Sequence, residues 1–567
     1  MARLLPLLLG LVGILFSCKS AEVDPNSEVR YLDTSEFAAS RTRTFQVPGR
    51  PNEICVIPKK FPGGDYDKDD RDDEQDLCAM DFRSSKYAIC PKLGSTNPAL
   101  EVYDMPSGMS KSAFESSECP KRDRSGSKLA KYKMSVTCSY TGSILAYYHM
   151  SRLLGMGHIP PAVIRTFDLE DHKKFAKKGV QYSAGKGYIH KTWTELETLL
   201  GKADKFILTN DKKQTFGALS VNPTGERRHP LFNVKPYSSF VAKPWVKKVM
   251  NQASVRETLT NAFFASQGIK VDETENGQFT RATYGLGVMR DISDMILIDY
   301  IMGQQDRLGN IHAKDYYYYK TSSGKVKRKK ASKVANPSTL GQVYSTVSVP
   351  RLLLKDNDCG VRRESNLFRN NKALQNVRHM APKTYKRFMW VANNWSSIRS
   401  FLKTESTMAT SNIFGENLKH VGDNISEARS ILYNNCKSGK LLLDLDVEDH
   451  LEKKNTRAAV SGLCDEVYVP SNTKDEGGAS TPRVEIPAEN TSNGSACTVD
   501  TPVLNVRNSP STAGTSVLNT LNQGHPVTIL STEGGWSSVR FTLNGKSFGG
   551  TSGSSARWVY SSLLRCN

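Results

Sequence analysis

Beyond Phe16 the chain lacks any apolar run long enough to cross a bilayer. It contains no Cys-x-x-Cys pair, which argues against a zinc site, and it has no internal repeat. Hydrophobic residues make up only 38% of its 567 positions. These absences exclude a multi-span membrane protein and a repeat protein. What remains is a globular chain too long for one core, and we expect two to four domains.

The start of the chain has the features of an export signal. Arg3 precedes an apolar segment, Leu4–Phe16, that is too short to span a bilayer well. The segment ends in Leu15-Phe16-Ser17-Cys18, which resembles the lipobox of bacterial lipoproteins. This resemblance implies that a signal peptide is removed and that Cys18 carries lipid such as palmitate, with Lys19 favouring the outer membrane. An ordinary secretory signal with a chance cysteine is the alternative.

Ten cysteines remain once Cys18 is set aside. They are Cys55, Cys78, Cys90, Cys119, Cys138, Cys359, Cys436, Cys464, Cys497 and Cys566. An even number of cysteines in an exported protein predicts disulfides, because the compartment beyond the inner membrane is oxidising. The sequence leaves their pairing open, apart from one pair considered below.

Lysine and arginine outnumber aspartate and glutamate by 77 to 57, which gives a formal net charge of +20. Outside the cytoplasm this charge favours anionic lipid headgroups, phosphorylated glycans or the acidic cell wall as partners, and we expect no nucleic acid. A solvated basic surface is the alternative. The densest basic run, Lys325–Lys330, follows Gly324 and is predicted to be a solvated loop at the tip of a hairpin.

The last seventy or so residues contain short apolar-alternating runs separated by turns, the pattern of a small all-β barrel. Leu504-Asn-Val-Arg507, Gly535-Trp536 and Trp558-Val559 resemble the bacterial SH3 domain. The resemblance implies binding to cell-wall peptidoglycan or to an envelope protein. Trp536 and Trp558 are candidates for stacking on a ligand, although core packing is the commoner fate of tryptophan in so small a barrel.

The cysteines that flank this barrel are the exception to the open pairing. The termini of SH3-type barrels tend to lie close together, and a small barrel benefits from a covalent link. We therefore expect Cys497 to pair with Cys566.

Two polar clusters follow apolar segments in the middle of the chain. A helical pattern over 288–303 leads to Asp306-Arg307, with Asn310 four residues after the aspartate. Two predicted strands, at Tyr316–Tyr319 and Arg351–Leu354, come before Asp356-Asn357-Asp358. Phosphoryl transfer needs a carboxylate that accepts the proton of the attacking hydroxyl, and an amide oxygen and a second carboxylate that hold a divalent metal ion. This order of residues predicts that three such side chains meet at one cleft.

The same residues resemble those of atypical kinases of the secreted Golgi casein-kinase and four-jointed type, the type II phosphatidylinositol 4-kinases and, more remotely, HipA-like kinases. The resemblance implies a bilobal protein-kinase-like domain that uses ATP with Mg²⁺ or Mn²⁺. Asp306 would be the catalytic residue, and Asn310 and Asp356 would bind metal, with Asp358 as a rival to Asp356. Lys131 or Lys133 would bind the nucleotide.

Three departures from the kinase pattern bear on activity. Asn310 lies four residues after Asp306, where many relatives have five. The helix that contains Ser143 and Ile144 lacks the glutamate that pairs with the nucleotide-binding lysine, and Ser125-Gly126-Ser127 is a poor substitute for a glycine-rich loop. The sequence therefore leaves two hypotheses. One is an envelope kinase that phosphorylates a protein, glycan or lipid hydroxyl. The other is a non-catalytic pseudokinase or scaffold that binds peptidoglycan or a protein partner.

An acidic segment has the spacing of an oxygen-ligand calcium loop, with carboxylates at Asp65, Asp67, Asp69, Asp73 and Asp76. Asp70 occupies the position where such a loop requires glycine. A solvated acidic loop is the preferred interpretation, and calcium binding is the alternative.

The predicted fold class is multidomain α+β, with a bilobal kinase-like domain and a small all-β barrel. The predicted segments are a signal peptide (1–17), a lipid-anchored tether (18–50), a cysteine-containing extension (51–126), the kinase-like domain (127–469), a flexible linker (470–496) and the SH3-type barrel (497–567). Such a protein is expected in the cell envelope, anchored to the outer membrane.

Overall fold

The computed structural model describes residues 31–136, 139–202, 204, 207–341, 343–363, 365–408, 417–456 and 460–470, and short stretches between 496 and 566. Two compact units are present, one that ends at Pro470 and one that begins at Ser471. The expected mixture of helices and sheets in a multidomain chain is confirmed. Cys18 and the segment 471–495 lie outside the described residues. None of the described helices is long and apolar enough to cross a membrane.

An antiparallel sheet forms one side of the first unit. Its strands are β1 (Thr42–Val47), β2 (Arg50–Val56), β3 (Tyr87–Pro91), β4 (Ala99–Asp104), β5 (Ser127–Lys133), β6 (Ala162–Asp168) and β7 (Gln214–Val221). They lie in the order β1-β2-β6-β7-β5-β4-β3. Because β1 to β4 precede residue 127, the sheet spans the expected boundary between the extension and the kinase-like domain.

Five helices accompany this sheet. They are α1 (Lys68–Ala79), α2 (Lys111–Ser117), α3 (Thr141–Leu153), α4 (Leu169–Tyr182) and α5 (Tyr188–Gly201). All residues of α3 are buried, so this helix lies in the interior between the sheet and the helical part of the unit. The pair α4 and α5 packs closely because Gly179 allows the ring of Trp193 to approach; a Cβ at residue 179 would lie 2.3 Å from that ring.

The rest of the first unit is mainly helical. Its helices are α6 (Tyr237–Val241), α7 (Pro244–Val249), α8 (Val255–Thr258), α9 (Asn261–Ser266), α10 (Glu275–Thr280), α11 (Gly287–Met302), α12 (Leu367–Asn370), α13 (Pro382–Asn393), α14 (Trp395–Glu405), α15 (Asn417–Lys437) and α16 (Val447–Leu451). The predicted helix over 288–303 is confirmed by α11, which is buried along almost its whole length. It ends at Gly303, whose φ of 65° lies in the left-handed region that favours glycine.

A small sheet follows α11. Its strands are β8 (Arg227–Arg228), β9 (Ile311–Lys320), β10 (Val326–Lys330) and β11 (Val347–Leu354), with β9 between β10 and β11. The prediction of a basic loop over Lys325–Lys330 was wrong, because Val326–Lys330 pairs with Tyr316–Lys320 as a strand. Tyrosines of β9 supply the cross-strand neighbours that this charged strand needs. Gly324, with a φ of 83°, lies in the turn before it.

The acidic segment forms a helix and not a calcium loop. Asp67 is the N-cap of α1 and makes a reciprocal capping box with Asp70. Two of the other carboxylates contact separate lysines. Asp65 lies 2.7 Å from the Lys383 ammonium, and Asp69 lies 2.7 Å from Lys330. The carboxylates of this segment therefore do not converge on one cation.

Disulfides are confirmed in the first unit. Cys55 pairs with Cys78, Cys90 with Cys119, and Cys436 with Cys464. Cys359 is buried, and Cys138 lies outside the described residues. The first two bonds lie in the segment 51–126, where one connects β2 to α1 and the other connects β3 to the turn after α2.

The described residues of the second unit form an eight-stranded β-sheet. Its strands are β12 (Ala496–Val499), β13 (Val503–Arg507), β14 (Val517–Asn522), β15 (Pro526–Glu533), β16 (Trp536–Leu543), β17 (Lys546–Phe548), β18 (Trp558–Tyr560) and β19 (Leu564–Cys566). Cys497 is disulfide-bonded, and its register places it opposite Cys566. Trp558 is only 8% exposed, so it packs in the core and does not form a stacking surface. The side chain of Trp536 lies outside the described residues.

Candidate functional site

Lys133 lies at the centre of the candidate site. It is the last residue of β5, an interior strand of the seven-stranded sheet, and only 4% of it is exposed. Its ammonium lies 3.0 Å from Asp356 Oδ1 and 2.9 Å from Asp358 Oδ1. Of the two lysines that the sequence left open, Lys133 is the one that contacts both aspartates.

The aspartates belong to a short turn directly after β11. Asp356 adopts a left-handed conformation, with a φ of 53°, which turns the chain sharply at the end of the strand. Ser143 of α3 donates a hydrogen bond to the Asn357 carbonyl at 2.6 Å. A serine of α3 therefore contacts the turn where the kinase resemblance expects a glutamate that pairs with the lysine.

The two aspartates differ in their surroundings. Asp358 is buried, and its Oδ2 accepts a hydrogen bond of 3.0 Å from the Asn97 side chain. The Asp356 side chain remains 31% exposed although its Oδ1 contacts Lys133. Asp356 is therefore the carboxylate that a ligand can reach, and Asp358 holds Lys133 and Asn97 in position.

Charge strongly perturbs these groups. Burial alone would raise the pKa of Asp356, but the nearby ammonium groups of Lys133, Lys92 and Lys131 hold it well below its usual value. Burial would lower the pKa of Lys133, and the carboxylates of Asp358 and Asp356 raise it instead. Both partners are therefore charged at neutral pH.

Further lysines surround Asp356, and sequence reasoning missed two of them. Burial, with the nearby Lys131 charge, lowers the pKa of Lys92 to about 7. The same two causes lower the pKa of Lys355 to about 8, although Lys355 forms an ion pair with Glu226. Lys92 follows β3 directly, so the turn of the β3–β4 hairpin lies beside the site. A prediction from the sequence that β3 pairs with β4 would have placed Lys92 at the site.

The expected substitute for a glycine-rich loop lies elsewhere. Gly126 is next to the first residue of β5, at the opposite end of that strand from Lys133. Its Cβ position is filled by the Asp104 carbonyl and the Phe114 ring. Residues 125–127 therefore connect α2 to β5 and do not reach the lysine cluster.

Arg307 joins the two polar clusters that the sequence predicts to meet. It is fully buried, and its guanidinium contacts the Asp299 carboxylate at 2.6 and 2.9 Å. It also donates to the Lys355 carbonyl at 2.7 Å and to the Asn357 side-chain oxygen at 2.6 Å. The loop after α11 and the turn after β11 are thereby fixed to one another.

Gln304 adds a second link between these loops. Its amide nitrogen donates to the Asp356 carbonyl at 3.4 Å, and its oxygen accepts from the backbone N–H of Asp306 at 3.1 Å. Asp306 itself is 56% exposed. The structure thus places its carboxylate on the loop that borders the Lys133–Asp356 pair.

Asn310 contacts Asp306 and not Asp356. Its amide nitrogen donates to Asp306 Oδ2 at 3.2 Å, and its oxygen accepts from Arg228 at 3.2 Å. Lys235 lies 3.7 Å from Asp306. In this arrangement Asn310 positions the Asp306 carboxylate. Within the described part of the chain, no group of three or more His, Cys, Asp or Glu side chains could hold a metal ion.

Comparison with known proteins supports the C-terminal assignment. Residues 502–565 match the bacterial SH3 domain family. No curated protein matches the sequence. Solved structures to which the chain is similar include the Golgi casein kinase with Mn/ADP bound, with 13% identity, a TM-score of 0.34, and coverage of 64% of this chain and 75% of that one.

Two further structures are of the same kind. The Golgi casein kinase in another crystal structure is 12% identical, with a TM-score of 0.32, over 65% of this chain and 75% of that one. Hydra Fam20 with sugar is 14% identical, with a TM-score of 0.29, over 66% of this chain and 88% of that one.

Proposed function

We propose that residues 31–470 form an atypical kinase that transfers phosphate from a nucleotide to a hydroxyl group. The main observation in support is that the Lys133 ammonium contacts Asp356 and Asp358. Arg307 connects the turn that contains these aspartates to the loop that contains Asp306. Phosphoryl transfer uses a lysine that contacts phosphate, a carboxylate that holds a metal ion and a second carboxylate that accepts a proton, and Lys133, Asp356 and Asp306 would supply these three groups.

The residues around Asp356 fit a nucleotide with Mg²⁺ or Mn²⁺. Asp356 is ionised and partly exposed, and a carboxylate oxygen is a ligand that these ions prefer. Lys92, Lys131 and Lys133 surround it with positive charge that suits phosphate oxygens. A bound metal ion would neutralise charge on the transferring phosphate.

The remaining roles follow from exposure and contacts. Asp306 is exposed and would accept the proton of the attacking hydroxyl, while Asn310 and Lys235 orient its carboxylate. Asp358 would position Lys133. The cavity beside Lys133 and Lys355 holds only about 30 Å³, so the surrounding elements must separate before a nucleotide enters.

A nucleotide-binding scaffold without catalysis is the second candidate. Asn310, which the kinase resemblance makes a metal ligand, contacts Asp306 and Arg228 instead. A site that binds the nucleotide but lacks this ligand would not complete the transfer.

Nucleotide-dependent thermal shift on the full chain tests the binding step. We expect ATP with Mg²⁺ or Mn²⁺ to raise the unfolding temperature, and Asp356→Asn to abolish that rise. Asp315→Asn is the matched control, because Asp315 is 33% exposed and also contacts a basic side chain, Arg227. No shift with any nucleotide would contradict nucleotide binding.

Formation of ADP from ATP tests the transfer step, because ADP leaves whether a hydroxyl group or water accepts the phosphate. Asp306→Asn should keep the thermal shift and lose at least about a hundredfold in turnover, as expected for a proton acceptor. A thermal shift with no turnover in the unmodified chain would support the scaffold.

We also propose that the protein is anchored in the bacterial envelope through lipid on Cys18 and contacts the cell wall through residues 502–565. The lipobox-like residues and the SH3 family match support this placement. Mass spectrometry of the mature N-terminus should find acylated cysteine, and Cys18→Ser should release the protein from membranes. Residues 497–567 should sediment with purified peptidoglycan; failure to do so would leave a protein partner as the ligand.

A further inference from the structure

A second and much larger cavity lies between α1 and β10, and we call it the basic groove. It measures about 1110 Å³ and is open to solvent. Its walls include the acidic start of α1 on one side, at Asp67, Asp69 and Asp73, and Lys327–Lys330 on the other. Small-molecule sites commonly measure 300–1,000 Å³, so the groove has room for several linked units of a polymer.

The basic side of the groove, Lys327–Lys330, contains cations that have no carboxylate partner among the described residues. Lys330 and Lys333 both contact Asp69, at 2.7 and 3.0 Å. Among the described residues, Lys327, Arg328 and Lys329 form no ion pair with a carboxylate, and all three are exposed. Arg328 shares the strand face of Tyr316, and Lys327 and Lys329 lie on the other face of this edge strand. Ten cationic and seven carboxylate side chains line the groove, and two of the cations, Arg290 and Arg351, pair with Asp294 and Asp291 outside it, so one positive charge remains in excess.

A fourth cation lies deeper in the groove. Lys314, on β9, is half-buried, and burial together with the Lys330 charge lowers its pKa. No carboxylate of the described chain pairs with it. An anionic group placed beside Lys314 would offset both the burial of this ammonium and its repulsion by Lys330 and Lys333.

An aromatic ring and carboxylates complete the groove. The Arg328 guanidinium lies 5.2 Å from the centre of the Tyr316 ring. Asp73 lies on the opposite wall, half-buried, and burial raises its pKa. Carboxylates of this kind accept hydrogen bonds from hydroxyl groups, and a tyrosine ring packs against the apolar face of a sugar.

We propose that the basic groove binds an acidic glycan, a chain of sugars that carry carboxylate or phosphate groups. The cations would pair with the anionic groups, and the facing carboxylates would accept from the sugar hydroxyls. The same carboxylates would repel the backbone of DNA, which has one phosphate per nucleotide and no sugar hydroxyl along the strand to donate to them. A flat membrane surface would not reach Lys314 at depth.

The basic groove and the Lys133 site are neighbouring but distinct cavities. Pro160 and Val221 line both cavities, so the groove begins next to the Lys133 site, but none of its unpaired cations touches Asp356 or Asp306. Glycan binding therefore does not require that the protein transfer phosphate.

Titration calorimetry with the full chain tests the proposal. The probes are a polygalacturonate oligomer, a phosphorylated mannan oligomer, a neutral oligosaccharide of equal length, single-stranded DNA of equal charge and anionic phospholipid vesicles. We expect one or both acidic glycans to bind more tightly than the other three probes. Their affinity should fall with added salt, because exposed ion pairs are screened.

Charge reversal locates the site. Arg328→Glu with Lys329→Glu should weaken glycan binding at least tenfold. Lys177→Glu with Lys186→Glu is the matched control, because both lysines are exposed and lie on or beyond α4, and it should change affinity less than twofold. The neutral pair Arg328→Gln with Lys329→Gln replaces the reversal if that variant unfolds. Equal loss in the control, tighter binding of DNA or vesicles, or no binding of either acidic glycan would overturn the proposal.

Discussion

Lys92 is buried at a position where its positive charge is unfavourable. Its pKa of about 7 in the folded chain compares with an ordinary value of 10.5, because burial and the Lys131 charge oppose its protonation. Between these two pH values the unfolded chain binds a proton that the folded chain does not. The stability contributed by this group therefore rises with pH from about 7 to 10.5, and its cost is greatest below pH 7.

Replacing Lys92 by methionine should therefore stabilise the protein. At pH 6 we expect the free energy of unfolding to rise by on the order of 3 kcal/mol, and the gain to shrink towards pH 10. Thermal unfolding at several pH values measures it. Lys128→Met, on β5 of the same sheet, is the control and should show no such trend between these pH values. A gain of equal size at pH 6 and pH 10 would contradict an origin in the charge of Lys92.

The contact of Lys133 with its two aspartates leads to a second prediction. Lys133→Met leaves the buried Asp358 and the partly exposed Asp356 as neighbouring negative charges without their shared ammonium, and we expect a loss of about 3–5 kcal/mol in stability. Adding Asp358→Asn should restore part of that loss, because one of the two charges is then gone. Chemical denaturation of the single and double variants measures the coupling. Strictly additive losses would show that the two residues do not interact.

The sequence was sufficient to find the chemistry of these residues but not their contacts. The spacing of Asp306, Asn310 and Asp356 identified the two polar loops, which Arg307 indeed connects. The choice between Lys131 and Lys133 depends on how β5 is oriented in the sheet. Lys92 depends on a hairpin whose pairing no local pattern reveals. The sequence alone does not reveal which strands pair across long separations in the chain, or at which residues they pair.

At the scale of elements, strongly apolar segments were predicted well and charged ones were not. The helix over 288–303 and the strands at 316–319 and 351–354 lie within α11, β9 and β11. The acidic helix α1 has little apolar periodicity and depends on its capping box and on ion pairs with distant residues. The basic strand β10 depends on the tyrosines of β9. The conformation of such charged elements depends on contacts with residues that are distant in the sequence.

Two disulfides of nearly equal span allow local effects on the site to be separated from global stability. Cys90–Cys119 spans 29 residues and leaves β3 just before Lys92, whereas Cys436–Cys464 spans 28 residues in the helical part. Replacing either pair with alanine should cost about 3–4 kcal/mol, since the cost follows loop length.

Only the first replacement should weaken nucleotide binding. Loss of Cys90–Cys119 loosens the hairpin that carries Lys92, and we expect the nucleotide-dependent thermal shift to fall by at least half. Loss of Cys436–Cys464 should leave that shift unchanged while lowering the unfolding temperature by a similar amount. Equal effects of both replacements on the shift would show that the hairpin does not contribute to binding.

At the scale of the whole molecule, the division at residue 470 predicts two separable parts. The segment 471–495 contains Lys474 and Arg483 among proline, serine, asparagine and glycine, with almost no large apolar side chain. Brief trypsin treatment should cut there first and leave two protected fragments, as mass spectrometry would show. The larger fragment should keep nucleotide binding and the smaller one wall binding. Early cuts inside residues 127–469 would contradict this division.

The way β1 to β4 join the seven-stranded sheet decides where the first unit can be cut. A recombinant fragment that began at residue 127 would retain β5, β6 and β7 and remove the neighbours of β5 and β6 on their outer sides. Both strands would then offer unpaired backbone groups to other chains, which invites aggregation. The segment that contains β1 to β4 therefore protects the edges of β5 and β6 from pairing with other chains, and it also supplies Lys92.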